Sequence, residues 1–489
     1  MSSIDDIRGS RIAKLAKLSE AGHEPYPAKV PAFVPVAEAK EKFNSFKNKK
    51  SISVVGRIVA IRLHGGSLFC DVSDGDSALQ VYLKEDELGA ESFGLFRDTA
   101  DIGDFFEFRG KLFLTKKKEK TLLVSGWRVL AKGLKPLPEK WHGLQDVEER
   151  FRKRHLDLLS NPEVRARFLK RTAVISELRR FLDKAGFVEV ETPILHPLAG
   201  GASAKPFTTH HNALDQELFL RIAPELYLKR LLVGGFSKIY EIGRSFRNEG
   251  VDATHNPEFT TIELYEAFSD SEQHRVFVEK IIKQLARSVK GALRFKYQGN
   301  EIDFGKKFGS FTFEEALGRF ALINNYRKLP PEELELKAKR FGIDIEAGDN
   351  KAKIADKIFR KICRPKIIQP TFVLCYPLEI LPLAKESKEY PGMADMYQLV
   401  VGGLEMVKGF SELNDPTEQR KRFLEQEKMR AAGDEEADRM DEDFLDALEY
   451  GMPPAAGFAI GIDRLIMLLT DTPNIREVVL FPTMRSREH

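Results

Sequence analysis

Cysteine is nearly absent from this chain: Cys70, Cys363 and Cys375 stand isolated among 489 residues, odd in number and outside any C-x-x-C spacing. That speaks against a disulfide framework and a thiolate zinc site, and a reducing cytoplasm is the expected compartment. Long apolar runs are missing as well, none reaching the roughly 18 residues that a membrane span requires. Residues 1–6 lack the basic-then-apolar order of an export signal, so the chain is expected to stay soluble and unexported. Neither of the two commonest nucleotide cradles occurs, since there is no G-x-x-x-x-G-K-[ST] loop and no G-x-G-x-x-G after a strand. No G-x-S-x-G appears and no cysteine lies in a nucleophile setting, which leaves covalent catalysis by serine or thiol without support. Charge of one sign is lacking too. Lys and Arg number 77 against 74 Asp and Glu, a net +3, so any nucleic acid must be met by patches. Lys116-Lys117-Lys118 and residues 351–366 are basic, and 434–449 acidic.

What is present, 42% hydrophobic and 31% charged residues, is ordinary globular composition, and the length requires two or three domains. Residues 1–50 read as a basic helix and an extension. Ile4, Ile7, Ile12, Leu15 and Leu18 recur at helical spacing before Gly22 and Pro25-Tyr26-Pro27. The helix is expected to pack on its own protein, with contact to nucleic acid as the second reading. Residues 51–133 hold five short strands, beginning near Ile52, Ser67, Leu79, Phe105 and Leu122, with turns at Gly65-Gly66, Asp74-Gly75 and Gly103-Asp104. This pattern suits a small closed barrel of the OB type, one face of which can take single-stranded nucleic acid. Arg62, Phe69 and Gln80 carry the chemistry for it: a charge for phosphate, a ring to stack on, an amide to read a base edge. By strand pattern alone Phe69 reads as a core ring.

A linker, 134–160, contains Pro136-Leu137-Pro138 and His142-Gly143-Leu144-Gln145-Asp146, and the larger domain, 161–489, opens with a helix that stops at Gly186. Phe219-Leu220-Arg221-Ile222, residues 238–243 and residues 258–265 suggest an antiparallel sheet. Residues 311–366 read as a helical insertion whose basic run is a solvated face. The fold class is therefore α+β, a barrel followed by an antiparallel sheet flanked by helices.

Two segments carry charges suited to phosphate. Phe246-Arg247-Asn248-Glu249 follows a strand, and ten residues after Glu249 comes Phe259; Gly461-Ile462-Asp463-Arg464 opens an apolar helix. A guanidinium at Arg247 can grip an α-phosphate through two parallel hydrogen bonds, and Arg464 at a helix start adds the positive end of the dipole. With Lys184-Ala185-Gly186-Phe187 and Thr192-Pro193 upstream, these segments resemble motifs 1, 2 and 3 of the class II aminoacyl-tRNA synthetases. Ala223-Pro224-Glu225 and Gly409-Phe410-Ser411-Glu412-Leu413-Asn414-Asp415-Pro416 narrow the resemblance to the class II lysyl-tRNA synthetases, over nearly the whole chain.

The resemblance implies a class II catalytic domain, an OB-fold anticodon-binding domain and a homodimer joined through motif 1. It implies ATP-dependent activation of L-lysine followed by transfer to tRNA(Lys), with Mg2+ as cofactor. Arg247 and Arg464 become the catalytic pair. Glu249, His255, Phe259 and Glu405 join them at ATP, with Phe259 stacking on adenine and His255 reaching the outer phosphates. Glu412 and Tyr265 face the ε-ammonium with the negative charge of Glu263 nearby, Phe410 forms a wall, and Glu225 with the Gly201 backbone takes the α-amino group; Lys408, by its own charge, either pairs the lysine carboxylate or neutralises Glu405. Glu405 holds the metal, with Gln398 and Glu412 as further candidate ligands. Arg62, Phe69 and Gln80 meet the anticodon, which reverses the core reading of Phe69. Three positions depart from the family pattern: Gln398 replaces a metal-binding glutamate, Lys408 an asparagine and Ala459 a glycine. Other readings are an aspartate or asparagine ligase, which would need a cationic deep end, a non-catalytic regulator, and a single-strand-binding module with a degenerate ligase domain.

Overall fold

The computed structural model describes residues 3–138, 144–346, 348–434 and 436–486, so His142 and Gly143 of the expected linker lie outside them. Two compact units follow one another, Met1–Asn161 and Pro162–His489.

In the first unit α1 (Ile4–Glu20) begins at a reciprocal cap. The Asp6 amide donates to Ser3 Oγ at 3.1 Å while the Ser3 amide donates to Asp6 Oδ2 at 2.8 Å. Arg11 turns inward and donates to the carbonyls of Gly133, Lys135 and Ile102, and Leu18 is fully buried. The basic helix is thus fastened to its own unit. Strands β1 (Ile52–His64), β2 (Ser67–Ser73), β3 (Ala78–Lys84), β4 (Phe105–Leu114) and β5 (Lys120–Ala131) close a barrel in the order β1-β2-β3-β5-β4. Strict alternation sends Leu68, Cys70, Val72, Leu79, Val81 and Leu83 into the core. The same period turns Phe69 outward, half-buried, against the core reading that its apolar strand suggested. Between β3 and β4 the chain forms two helices, Glu85–Leu88 and Ala90–Thr99, which the strand pattern did not reveal; Phe93 and Phe96 from the second join the barrel core.

The second unit is built on eight strands: β6 (Val188–Glu189), β7 (Lys238–Phe246), β8 (Glu258–Ala267), β9 (Gly309–Thr312), β10 (Thr371–Leu374), β11 (Met396–Val401), β12 (Leu404–Ser411) and β13 (Ala455–Gly461). Their order is β9-β10-β11-β12-β13-β8-β7-β6. The outermost pairs, β6 with β7 and β9 with β10, are parallel and all the inner pairs antiparallel. Helices α2 (Pro162–Lys184), α3 (Glu225–Val233), α4 (Ser271–Leu285) and α5 (Ile462–Thr470) accompany this sheet. Val174, Leu178, Val278, Ile281, Leu465 and Ile466 from three of them share one core with Ile262, Leu264, Val407 and Ile460 of the strands. Period two then leaves Phe259, Thr261, Glu263 and Tyr265 on the other side of β8, where Ala459 and Gly457 of β13 lie opposite the last two. The sheet's second face is therefore free to carry chemistry.

Two expectations change. Phe219 and Leu220 do not join the large sheet. Their strand, Gln216–Leu220, is paired on one side with Leu195–His196 and on the other with Thr208–His211, so both its ladders are already filled. Residues 311–366 are mostly helical, as expected, and run from β9 towards β10. Phe311 and Thr312 belong to β9, and the helices that follow share a core with Val373, Met396 and Val400 of the sheet. The basic run, however, is not a freely solvated face: Lys353 meets Asp434, Lys357 meets Asp349, Arg360 meets Asp356, and Arg364 reaches Glu405. Among the described residues no helix is long and apolar enough to cross a membrane.

Candidate active site

One end of the cleft on the free face is acidic. Tyr265 and Glu263 descend from β8, and the Tyr265 hydroxyl donates to Glu263 Oε2 at 3.2 Å. Gly457 across the ladder lets Glu412 come under them. A Cβ at that position would sit 2.4 Å from the Tyr265 ring and 2.5 Å from Glu412 Oε1. Glu225 enters from the first turn of α3, where the helix dipole favours a carboxylate. The backbone of Gly201, at φ +85°, passes so close that a Cβ there would lie 3.2 Å from Glu225 Cβ.

A residue to which the sequence reading assigned no role completes this end. Lys229, one turn after Glu225 on α3, is fully buried with Nζ 2.6 Å from Glu225 Oε1 and 2.5 Å from Glu412 Oε2. Its ammonium also sits 5.3 Å from the centroid of the Phe410 ring. The i,i+4 spacing from Glu225 was the available signal. Arg221 instead pairs with Glu241. Burial alone would depress the Lys229 ammonium, but Glu225 and Glu412 hold it above the usual lysine range. The carboxyls respond the other way. Burial, with the Glu225 charge, pushes Glu263 up to about 8; burial pushes Glu412 up to about 8 as well, against the pull of Lys229. Glu412 Oε1 has no hydrogen-bonding partner. With one ammonium, Lys229, beside Glu225 and Glu412, burial keeps protons on Glu263 and Glu412 that an incoming cation would displace.

Asp438 was also missed. It is 5% exposed, its Oδ1 has no hydrogen-bonding partner, and the Gly201 amide donates to its carboxyl, which burial and Glu225 push up to about 7.

The other end is cationic. The Arg247 amide donates to Pro257 O at 2.8 Å, closing the loop between β7 and β8, and the guanidinium lies 5.1 Å from the Phe259 ring centroid with Nε buried and unpartnered. Arg464 projects from the first turn of α5, whose start is fixed by Asp463 accepting from the Thr260 amide at 2.8 Å and from Arg171 at 2.5 Å. Arg464 Nη2 is 3.0 Å from His255 Nε2, and His255 Nδ1 is 2.8 Å from Asp252. A guanidinium only donates, so Nε2 accepts and the proton sits on Nδ1, facing Asp252. His255 lines the cleft beside Arg464. Glu249 stands exposed at the rim.

Glu405 lies among these cations, 3.7 Å from Arg464 and 3.8 Å from Arg364. Burial would raise its carboxyl, but Arg464, Arg364, Lys408 and Arg360 together hold it below the ordinary range. Gln398 Nε2 donates to Glu405 Oε2, while Gln398 Oε1 accepts from the Tyr376 hydroxyl at 2.7 Å. Lys408, directly across the ladder from Gln398, lines the cleft and has no ion-pair or hydrogen-bonding partner among the described residues.

The three candidate metal ligands fall in two places. Gln398 and Glu405 adjoin, but Gln398 presents its amide donor to Glu405 and spends its oxygen on Tyr376, while Glu412 belongs to the acidic end with Lys229. Turning the Gln398 amide over would set oxygen against carboxylate. Among the described residues no group of three or more carboxylates, histidines or cysteines could hold a metal ion. Of the three candidates, Glu405 alone presents a carboxylate at the cationic end, and Gln398 donates to it.

In the first unit the barrel brings Arg62, Phe69 and Gln80 to one face. Arg62 is paired across the ladder with Phe69, and Asp71 with Gln80. Arg62 holds Asp71 through two 2.8 Å hydrogen bonds, and Gln80 Oε1 accepts from Thr121 Oγ1 at 2.9 Å. Phe69 stacks on Tyr82 with ring centroids 4.3 Å apart, and Phe113 lies beyond Tyr82 at 6.3 Å. Tyr82 and Phe113 were missed, although the outward positions of β3 alternate from Gln80 to Tyr82.

Comparison with known proteins places these two surfaces in context. Residues 146–485 match the family of class II tRNA synthetases (D, K and N), and residues 52–130 match the OB-fold nucleic acid binding domain. The chain is 48% identical over 487 residues to the lysine–tRNA ligase of Carboxydothermus hydrogenoformans, covering 99% of each. It is 47% identical over 485 residues to that of Moorella thermoacetica, again covering 99% of each. With that of Syntrophomonas wolfei it shares 44% identity over 485 residues, 99% of this chain and 98% of the relative.

Proposed function

The chain belongs to the class II tRNA synthetases, on the branch of the lysine–tRNA ligases, and we propose that the acidic end of its cleft selects the amino acid while the cationic end opens ATP. The reaction joins L-lysine to tRNA in two steps. A carboxylate oxygen of lysine attacks the α-phosphorus of ATP, the bond to the bridging oxygen breaks, and pyrophosphate leaves with the electron pair. A hydroxyl of the 3′-terminal adenosine of tRNA(Lys) then attacks the carbonyl of the lysyl-adenylate and AMP departs. With His255 committed to Asp252 and Arg464, the departing phosphate itself takes the hydroxyl proton.

The observation that carries this reading is the excess of buried carboxyls at the acidic end. Lys229 pairs with Glu225 and Glu412, burial holds protons on Glu263 and Glu412, and a substrate with two ammonium groups takes the place of those protons. Glu263, Glu412 and Tyr265 take the ε-ammonium, Phe410 lies along the methylenes, and Glu225 with the Gly201 backbone takes the α-ammonium. Lys408 and Arg247 meet the carboxylate and the α-phosphate, so attack begins with both reactants held. Arg464 neutralises the leaving pyrophosphate, Phe259 stacks on adenine, and Glu249 borders the nucleotide. Mg2+ enters as the counter-ion of the outer phosphates that ATP carries in. An aspartate or asparagine pocket would require cations where Glu263 and Glu412 stand.

Arg62, Phe69 and Gln80, with Tyr82, form the anticodon face of the barrel. Exposed Leu169 on α2, Val188, Ile194 and Leu195 give the motif 1 region an apolar surface for a second copy, and the assembly is a homodimer. The cytoplasm suits three unpaired cysteines. ATP–pyrophosphate exchange with lysine, aspartate and asparagine in turn tests the reading: exchange with lysine alone is expected, and exchange with aspartate instead would overturn it.

A further inference from the structure

Arg247, Lys408 and Arg464 line one end of the cleft and Arg364 adjoins it; among the described residues the one carboxylate within ion-pair distance of this group is Glu405, 3.7 Å from Arg464 and 3.8 Å from Arg364. Arg360, the next cation outward, has Asp356 at 2.7 Å for itself. Lys408 makes no ion pair or hydrogen bond among the described residues, although its charge acts on Glu405 and Asp438, and Arg247 and Arg364 each keep a buried Nε without a hydrogen-bonding acceptor. The cations also oppose one another: burial depresses the Arg464 guanidinium, and Arg364 and Arg247 depress it further against the support of Glu405. Like charges assembled at this density call for an anion. Meanwhile the one carboxylate is already engaged, by Gln398 on Oε2 and by Arg464 near Oε1, and the neighbouring Gln398 turns a donor toward it.

We propose that this chain holds the polyphosphate of ATP in a cage of its own cations, Arg247, Arg364, Lys408 and Arg464, and activates lysine without any protein-bound divalent ion. The proposal rests on the ligase reading above and deepens it. In the activation step the negative charge that moves from the α-phosphorus to pyrophosphate stays among fixed guanidinium and ammonium groups. No proton is transferred, and the balance of charge needs no metal ligand from the protein. Arg364 comes from the basic run of residues 351–366, so that segment has a part in the site rather than lying outside it.

The test is the affinity of the full chain for ATP, by calorimetry without lysine, in excess EDTA and again in millimolar Mg2+, beside lysine-dependent exchange. The two affinities are expected to agree within about threefold. A loss of about tenfold or more in EDTA, with exchange intact in Mg2+, would overturn the cage and leave the ligase reading standing. Equal affinity in both buffers, with no exchange for any amino acid, would support the cage and overturn the ligase reading. Paramagnetic resonance of added Mn2+ gives a readout independent of activity: no Mn2+ held by the protein without ATP is expected, and stoichiometric binding there would sink the proposal. The double substitution Gln398→Glu, Lys408→Asn should create metal dependence, weakening ATP about tenfold in EDTA and adding bound Mn2+. If that variant misfolds, the wild-type comparison decides alone.

Discussion

The two ends of the cleft share one sheet face and are charged in opposite senses, each incompletely. At the acidic end Lys229 pairs with Glu225 and Glu412 while Glu263 and Asp438 lie buried without an ion pair; at the other Glu405 pairs with Arg464 and Arg364 while Arg247 and Lys408 have none among the described residues. What is left over at each end is the complement of what enters, two ammonium groups on one side and a chain of phosphates on the other. Paired charges inside a protein say little about function, because they can be wholly structural. The remainder after pairing is what identifies the ligand.

Removing a charge from the acidic end should break this comparison most sharply. Glu412→Gln is expected to lower kcat/KM for lysine about 100-fold or more, since a buried ammonium loses a carboxylate, with ATP affinity unchanged. Steady-state exchange kinetics and ATP calorimetry check both halves, and normal lysine use would remove Glu412 from the pocket. Lys229→Met takes away the resident ammonium and strands Glu225 and Glu412. A loss of about 3 kcal/mol in stability is expected, partly regained when lysine is added, because the substrate then supplies the missing charge. Denaturant unfolding with and without lysine measures this, and equal loss in both would show that Lys229 serves folding alone.

Phe69→Ala touches neither end and so serves as a control. It should weaken tRNA binding by about 1–3 kcal/mol while leaving exchange as it was. Losing both together would mark Phe69 as a structural residue of the barrel. A further effect concerns pH. Glu263 and Glu412 are raised to about 8 in the folded protein, so that state holds protons which the unfolded chain releases at lower pH. Stability from this source is complete below the ordinary glutamate value and is lost as pH climbs through 8. Bound lysine displaces those protons, so its affinity should increase from pH 6 to 8 by no more than about tenfold per unit for each proton, then level off. Calorimetry in two buffers of different ionisation enthalpy reads the protons released; no release at pH 7 would mean that the carboxylates are already ionised.

The strands carrying Arg247, Phe259, Glu263 and Tyr265 could be read from their period and their motifs, and so could the barrel. What escaped were pairings between distant positions. Lys229 is visible as part of a helix, but that its ammonium ends between Glu225 and Glu412 depends on a contact with a residue far along the chain, just past β12. Arg364 looked like one more solvent cation because its target, Glu405, is far along the chain. Asp438 sits in an acidic stretch with no periodic signal. Residues 219 and 220 were assigned to the wrong sheet because an apolar strand does not announce which edges it will pair with.

Gly457 gives the acidic end a kind of permanence. The smallest possible elaboration of its backbone, one methyl group, already collides with the Tyr265 ring and with Glu412. The depth of the pocket is therefore not open to adjustment one substitution at a time: two strands and a tyrosine would have to shift together. A preference that rests on a missing atom leaves selection almost nothing to tinker with, so the choice of amino acid at this floor is guarded against gradual drift as well as against the wrong substrate.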